Sequence, residues 1–278
     1  MSDDFLPDLD AYFSRIGYRG SRAPTLETLR ALHLAHALTI PFENLTVLGG
    51  ERVLLDPDEL ERKLVMQKRG GYCFEQNGFF AVVLRALGFD VSTLIARVRW
   101  MLPEEVDTAR THMLLLVRLP EGEFVADVGF GSLTMTSPIR LELDVEQETP
   151  HEPRRLVSHE DGYELQGKLG QEWATVYRFT LDRARRSDYE VANWHTSTHP
   201  ASIFTQFLIV TRPFTDRRVT LFNTGLTVRY LDGRVETGTL ETPAEIAEVL
   251  GSTFGLVLSG EQQARMIAPH FSRWQATG

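Results

Sequence analysis

The hydrophobic pattern of this chain changes its period near Gly88. Before that glycine, apolar residues recur at the three- and four-residue spacing of helices, most clearly at Phe79, Val82, Val83, Ala86 and Leu87. After it, alternate residues of the segment 91–100 are apolar, namely Leu94, Ala96, Val98 and Trp100. A segment cannot satisfy both periods, so the pattern predicts helices first and strands afterwards.

The remaining patterns extend this order to the end of the chain. Two turns, at Asp161-Gly162 and at Leu169-Gly170, divide residues 155–180 into a predicted meander. Further strands precede a capping box at Thr242, which begins a C-terminal helix. We therefore predict an α+β fold with a helical bundle over residues 1–90, a barrel or curled sheet over 91–205 and a mixed α/β region over 206–278.

Within the helical region, a helix is predicted over residues 56–70, and its first residues carry strong signals for a helix N-terminus. Asp56 is a candidate N-cap, and Pro57 suits the first helical position. Gly70 is predicted to close this helix. In the last region, residues 261–274 are predicted to form one final helix.

Composition excludes several functional classes. The chain of 278 residues is 42% hydrophobic and 24% charged, as expected for an ordinary globular protein. Its net charge of −9 disfavours nucleic acid and anionic membranes as partners. No apolar run approaches the ~20 residues of a membrane span. The acidic start, Met1 to Asp4, lacks the basic region of a signal peptide, and we expect a cytoplasmic protein.

The single cysteine, Cys73, lies where one helical pattern ends and another begins. Gly70 and Gly71, just before it, are expected to allow turn conformations that other residues cannot adopt. The thiol would then occupy the first turn of a core helix. Unpaired N–H groups and the positive end of the helix dipole favour a thiolate there. A lone cysteine is more often an inert core residue, so catalysis needs a partner base.

A predicted hairpin supplies that base and a group to orient it. His112 begins one apolar strand and Asp127 ends the next, with a turn at residues 119–123 between them. If the tight loop has an even number of residues, the two side chains lie on the same face, opposite or diagonal to one another. An odd number would separate them. Cys73, His112 and Asp127 thus satisfy the logic of a catalytic triad.

Other histidines are weaker candidates for a site. His33 and His36 are three residues apart on a predicted helix, but no nearby Cys or carboxylate completes a metal set, so packing or surface positions are favoured. His195 and His199 are four apart, with Thr196 where a zinc protease would have glutamate. The stretch around them, residues 193–200, shows no clear period. No metal is expected.

Residues 69–77 read RGGYCFEQN, which resembles the nucleophile motif of the arylamine N-acetyltransferases. Four other segments resemble the same family, in family order and at family-like spacing: 40–45 (IPFENL), 111–112 (TH), 127–131 (DVGFG) and 193–204. The length is similar to that of prokaryotic members. The resemblance implies a helical bundle, a β-barrel and an α/β lid around a cysteine-protease-like Cys-His-Asp core, with Cys73, His112 and Asp127 as the catalytic residues.

The resemblance also implies the substrates: acetyl-CoA as donor and an arylamine or arylhydrazine as acceptor, as in xenobiotic metabolism. Gly129, Phe130 and Gly131 would line the cleft, and Phe130 and Phe204 would form part of the acceptor pocket. Trp100 and Thr111 are plausible CoA contacts, although Trp100 suits a core position almost as well. Arg97 and Arg99 could contact phosphates, but the favoured interpretation is that both lie on a solvated strand face.

Several functional alternatives use the same residues. The leading hypothesis is a two-step transfer through an acetyl-cysteine, with a monomer or homodimer as the working form. An amide synthase would use a larger or carrier-bound acyl group, and a thioester hydrolase would use water as the acceptor. A non-catalytic binding protein would have no need of the nucleophile.

Overall fold

The computed structural model describes residues 5–160 and 162–276. The acidic start, Met1 to Asp4, and Asp161 of the predicted meander turn lie outside the described residues. None of the helices in the described ranges combines the length and apolar character needed to cross a membrane.

The N-terminal part is helical. Its elements are α1 (Leu9–Ile16), α2 (Leu26–Thr39), β1 (Phe42–Glu43), α3 (Leu45–Leu48), α4 (Pro57–Glu61) and α5 (Cys73–Ala86). Local signals set the ends, since the Asp8 and Thr25 side chains cap α1 and α2, and Gly17 ends α1 with φ 67°. Helix α5 is buried on nearly every side and forms the centre of the bundle.

The helix predicted over residues 56–70 is shorter and less regular than expected. It continues from α4 as a π-helical turn over Arg62–Met66 and ends there, before Gly70. Asp56 occupies the N-cap position without a capping hydrogen bond, because its carboxylate is 2.7 Å from the Arg186 guanidinium. A contact from a distant helix has therefore replaced the local cap.

Seven antiparallel strands follow: β2 (Asp90–Val98), β3 (Arg110–Leu119), β4 (Gly122–Ala126), β5 (Ile139–Arg140), β6 (Arg154–His159), β7 (Gly162–Leu169) and β8 (Glu172–Phe179). Their order in the sheet is β5-β4-β3-β2-β8-β7-β6. An isolated bridge between Leu143 and Leu156 links the two ends of this order, so the sheet forms a nearly closed barrel. The predicted meander is confirmed as β6, β7 and β8.

After the barrel come α6 (Arg186–Thr198) and α7 (Ile203–Gln206). The chain then continues with β9 (Ile209–Pro213), β10 (Arg217–Phe222), β11 (Gly225–Tyr230), β12 (Val235–Thr239), α8 (Pro243–Ser252), α9 (Gly260–Met266) and α10 (Ala268–Gln275). A second sheet has the strand order β1-β9-β10-β11-β12. Because β1 pairs with β9, the N-terminal part of the chain contributes an edge strand to this sheet. The boundaries at residues 90 and 205 stay a prediction.

Residues 193–198, which show no clear period in the sequence, belong to α6, a helix of mixed exposure in which polar residues interrupt the apolar stripe. One sequence-based expectation is wrong. The single final helix is instead two, α9 and α10, joined at Ile267, with Pro269 in the first turn of α10. A proline cannot donate the backbone hydrogen bond that a continuous helix requires.

Candidate active site

Helix α5 places Cys73 at its first position. The residue is 4% exposed, and its Sγ is 3.6 Å from the Thr111 carbonyl oxygen of β3. The Glu75 carboxylate accepts a hydrogen bond from the Tyr72 N–H at 3.0 Å, which fixes the turn that leads into the helix. The sulfur therefore lies at the junction of the bundle and the barrel, beside the N-terminal end of a helix of 14 residues.

Gly70 and Gly71 are needed for a different reason from the one predicted. Neither has a positive φ. A Cβ on Gly70 would lie 2.1 Å from the Pro41 carbonyl oxygen, and one on Gly71 would lie 2.7 Å from the Glu75 carboxylate. These glycines permit close packing of the nucleophile loop against its neighbours. Loop conformation alone could not have revealed this, because the contact on Gly70 comes from a distant segment.

Two buried ion pairs support this loop. The Lys63 ammonium is 2.5 Å from the Glu75 carboxylate, and the Arg69 guanidinium is 2.7 Å from that of Glu43. Burial alone would raise the pKa of Glu43, but the charge of Arg69 holds it below its ordinary value. The loop in front of Cys73 is thus fixed by charge-assisted contacts with the π-helical turn and with β1.

The hairpin of β3 and β4 brings His112 and Asp127 together. Leu119 pairs with Gly122, so the loop has two residues, an even number, and the register condition for one shared face is met. His112 Nε2 is 2.8 Å from Asp127 Oδ2, and both side chains are buried. The other ring nitrogen, Nδ1, is therefore the one available to interact with the Cys73 sulfur.

The electrostatics of this pair favour charge separation. Burial by itself would lower the pKa of His112, but the Asp127 carboxylate and the Cys73 sulfur raise it to about 10. Burial would raise the pKa of Asp127, yet the His112 charge and hydrogen bonds from Asn77 and Gly129 hold it below its ordinary value. At neutral pH the pair is therefore an imidazolium and a carboxylate. An imidazolium beside a thiol favours the thiolate, the form that attacks acyl groups.

Asn77 is a site residue for which the sequence analysis predicted no role. It lies one turn after Cys73 on α5, and its amide donates to Asp127 Oδ1 at 2.7 Å and to the Met113 carbonyl at 2.7 Å. Its own oxygen accepts from the Val128 N–H at 2.9 Å. The i, i+4 spacing to Cys73 on a helix was the available signal. Asn77 joins the nucleophile helix to the strand end that carries the carboxylate.

The loop after β4 passes very close to the nucleophile. A Cβ on Gly129 would lie 2.9 Å from Cys73 Cα, so a larger residue requires the loop or the helix to move. Phe130 packs edge-on against the His112 ring, with a centroid distance of 5.2 Å. Gly131 follows with φ 96°, in the left-handed region. Gly129 and Phe130 therefore lie beside the triad, whereas Gly131 lies against the Phe42 ring.

Phe204 lies on the short helix α7, on another side of the nucleophile loop. Its ring is 5.7 Å from that of Tyr72 and 5.8 Å from that of Phe42. The Asn44 amide donates to the Phe204 carbonyl at 2.8 Å and fixes this helix against the N-terminal part. Phe204 is thus an immediate neighbour of the residue that precedes Cys73.

The two residues predicted to contact CoA do not share a cavity. Thr111 borders a cavity of about 530 Å³ between the barrel and α6, whose walls include Ile95, Val191, Trp194 and His195. Trp100 lies in a separate depression with Met101 and Leu102 and packs partly against the barrel core. The exposed Trp194 was not among the sequence-based candidates.

Arg99 differs from its expected position on a solvated strand face. It is 6% exposed, and its guanidinium donates to the Pro103 and Glu104 carbonyls at 2.6 and 3.0 Å. Arg99 follows the end of β2 at Val98, and the N–H groups of Arg99 and Trp100 both donate to the Val176 carbonyl oxygen, so the regular alternation of the strand stops before Arg99. Arg97 remains exposed.

The chain is similar to known proteins over most of its length. A sequence model described as N-acetyltransferase matches residues 25–263. The chain is 45% identical over 252 residues to the arylamine N-acetyltransferase of Escherichia coli (strain K12), covering 90% of this chain and 89% of that protein. The solved structure of the arylamine N-acetyltransferase from M. tuberculosis superposes with a TM-score of 0.90 at 41% identity, covering 94% of this chain and 100% of that chain. The solved structure of the Mycobacterium marinum arylamine N-acetyltransferase in complex with CoA superposes with a TM-score of 0.89 at 39% identity, covering 94% of this chain and 98% of that chain.

Proposed function

The chain belongs to the arylamine N-acetyltransferase family, and from this premise we propose that Cys73 carries an acetyl group from acetyl-CoA to the amino group of an arylamine or arylhydrazine. One observation supports this most directly: a buried His112–Asp127 pair, joined at 2.8 Å, lies beside a cysteine at the start of a core helix. A packing cysteine has no need of such a pair.

In the first half-reaction, the Cys73 thiolate attacks the carbonyl carbon of the acetyl thioester. A carbon–sulfur bond forms to Cys73, the bond to the CoA sulfur breaks, and the departing thiolate takes the proton of the His112 imidazolium. Backbone N–H groups at the start of α5 face the developing oxyanion. Asp127 holds the ring in position throughout.

In the second half-reaction, the amine nitrogen attacks the acetyl-cysteine. A carbon–nitrogen bond forms, Cys73 leaves as a thiolate, and the proton of the amine goes to the now neutral His112. This restores the imidazolium–thiolate pair, so the cycle needs no external acid or base. The single thiol must stay reduced to act, and we infer a cytoplasmic enzyme.

The acceptor is assigned to the vicinity of Phe130 and Phe204, together with Gly129 and Gly131 of the loop that carries Phe130. Support comes from the contact of Phe130 with His112 and of Phe204 with Tyr72. The donor is assigned to the cavity beside Thr111, whose carbonyl contacts the Cys73 sulfur. Trp100, in its separate depression, is assigned to the far end of the elongated CoA molecule.

Intact-mass analysis tests the proposal. Wild type and Cys73→Ala are mixed with acetyl-CoA, and an anisidine is then added. We expect one acetyl group on the wild type alone, discharged with formation of the acetylated amine. Absence of both acetylation and CoA release would overturn acetyl-CoA as the donor. Discharge by water as fast as by the amine would identify a thioester hydrolase instead.

A further inference from the structure

Two histidines of α2, His33 and His36, are completely buried behind the triad. Of the two positions predicted for them, packing or surface, the structure shows packing. They lie three residues apart, on the side of α2 that packs against Phe80 of α5. Each forms hydrogen bonds that lead to a different half of the candidate active site.

His33 contacts the strand end that carries the catalytic carboxylate. Its Nε2 accepts a hydrogen bond from the backbone N–H of Asp127 at 3.1 Å. Its Nδ1 has no hydrogen-bond partner in the described part of the chain, so this amide is the polar contact that orients the ring. Together with Asn77, which holds the Asp127 side chain, His33 fixes the backbone and the carboxylate separately.

His36 leads to the nucleophile loop. Its Nδ1 is 2.8 Å from the Tyr12 hydroxyl, and its Nε2 is 3.2 Å from the Gln76 amide oxygen. The Gln76 amide nitrogen donates to the Gly71 carbonyl at 2.7 Å, two residues before Cys73. A continuous chain of hydrogen bonds therefore runs from α1 through His36 to the turn that presents the thiol.

The partners determine the tautomer of each ring. An amide N–H can only donate, so Nε2 of His33 must be unprotonated and its proton lies on Nδ1. Because the Gln76 nitrogen donates to a carbonyl, its oxygen accepts from His36, which carries its proton on Nε2. The two neighbouring histidines thus hold opposite neutral tautomers.

We propose that His33 and His36 are positioning residues for the acetyl transfer. His33 sets the position of Asp127 through its backbone amide, and His36 sets the turn before Cys73 through Gln76. As neutral rings with assigned donors and acceptors, they keep the carboxylate and the nucleophile at a fixed separation from His112.

Their surroundings are consistent with this neutral form. Burial lowers the pKa of His33 to about 4 and that of His36 to about 3. Protonation of His33 at Nε2 would place an N–H against the N–H of Asp127 and break the contact. The same assignments disfavour a metal between the rings, because the lone pair of each ring is already used in accepting a hydrogen bond.

The proposal rests on the proposed function, but its test uses the alkylation of Cys73 by iodoacetamide at neutral pH, which needs no acetyl-CoA. We expect His33→Leu, similar in volume but without an acceptor, to slow alkylation on the order of tenfold. His33→Gln, whose amide oxygen can replace Nε2, should keep most of the wild-type rate. His36→Leu should also slow the reaction.

Leu32→Ala is the matched control. Leu32 lies on the same helix, is fully buried in the same core and has a side chain that cannot form a hydrogen bond with the triad. The variant should be less stable yet alkylate at the wild-type rate. A wild-type rate in His33→Leu, or an equal loss in Leu32→Ala, would overturn the proposal. Rapid alkylation without acetylation by acetyl-CoA would instead refute the proposed function alone.

Nuclear magnetic resonance of the wild type labelled with ¹⁵N-histidine tests the tautomers even where a variant fails to fold. We expect one buried histidine protonated on Nδ1 and a second protonated on Nε2; the two patterns differ in the wild type itself, and loss of one signal in either His33→Gln or His36→Gln assigns both. Two rings with the same tautomer, or a cationic His33 at neutral pH, would contradict the positioning role.

Discussion

Nε2 of His112 and Oδ2 of Asp127 are 2.8 Å apart, although neither residue lies in a paired position of the β3–β4 ladder, whose last pair is Leu115 with Ala126. The two side chains meet just beyond the point where regular pairing ends. There, α5 packs against the sheet, and Asn77 supplies a hydrogen bond from that helix. The pair is therefore held by three elements, and each can be tested.

Replacing the carboxylate should disable the cysteine. In Asp127→Asn the charge that raises the pKa of His112 is lost, and burial then favours the neutral imidazole. We expect the single-turnover acetylation rate to fall on the order of a hundredfold or more. Asp90→Asn, at an exposed strand position, is the control and should leave the rate unchanged. An Asp127→Asn rate within a factor of about two of the wild type would contradict a role for this ion pair.

The approach of the loop to the helix can be tested at Gly129. The Cβ of Gly129→Ala would lie 2.9 Å from Cys73 Cα, so the loop or the helix must move. Overpacking of this kind costs about 1–3 kcal/mol, and we expect at least a tenfold loss of acetylation. Chemical denaturation and single-turnover kinetics measure the two effects.

A second glycine provides the matched control for that variant. A Cβ on Gly251, in α8, would meet no atom from another element of the described ranges within 4 Å. Gly251→Ala should raise stability by a few tenths to about 1 kcal/mol through helix propensity and should not affect catalysis. Full activity in Gly129→Ala would show that the contact with Cys73 does not constrain the site.

Stability should fall in acid partly because buried histidines resist protonation. The pKa of His33 is lowered from 6.5 to about 4, so its contribution is complete above 6.5 and is lost as the pH falls toward 4. Between pH 7 and pH 5 this one group costs the wild type about 2 kcal/mol. His33→Gln lacks the titration, so the free energies of unfolding of the two proteins should converge over that interval. A constant difference would contradict a depressed pKa for His33.

The acceptor pocket can be tested by removing one aromatic wall. Phe204→Ala deletes a ring that packs on Tyr72 and Phe42, outside the hydrogen-bonded triad. We expect KM for the arylamine to rise about tenfold, while acetylation by acetyl-CoA alone changes little. Phe222→Ala, at an exposed strand position, is the control. A loss confined to the acetylation step would place Phe204 on the donor side instead.

Local pattern carried much of the prediction. Apolar periodicity identified α5 and the β3–β4 hairpin, and the parity of the two-residue loop placed His112 and Asp127 on one face. Such features are set by residues close in sequence, whose side chains repeat with the backbone period. The same reasoning failed at Arg99, because β2 ends at Val98 and two successive N–H groups, those of Arg99 and Trp100, donate to one carbonyl oxygen, which interrupts the two-residue alternation.

The order of elements and the choice of Cys73, His112 and Asp127 could be predicted without coordinates, because periodicity and residue type are local properties. The groups that hold these three residues in place follow only from the packing of the folded chain. The contact of His33 with Asp127 joins residues 94 positions apart, and that of Asn77 with Asp127 joins residues 50 apart. Gly129 is required only because α5 passes beneath it. Such contacts arise from the packing of distant segments, for which no local pattern encodes the distance or the direction.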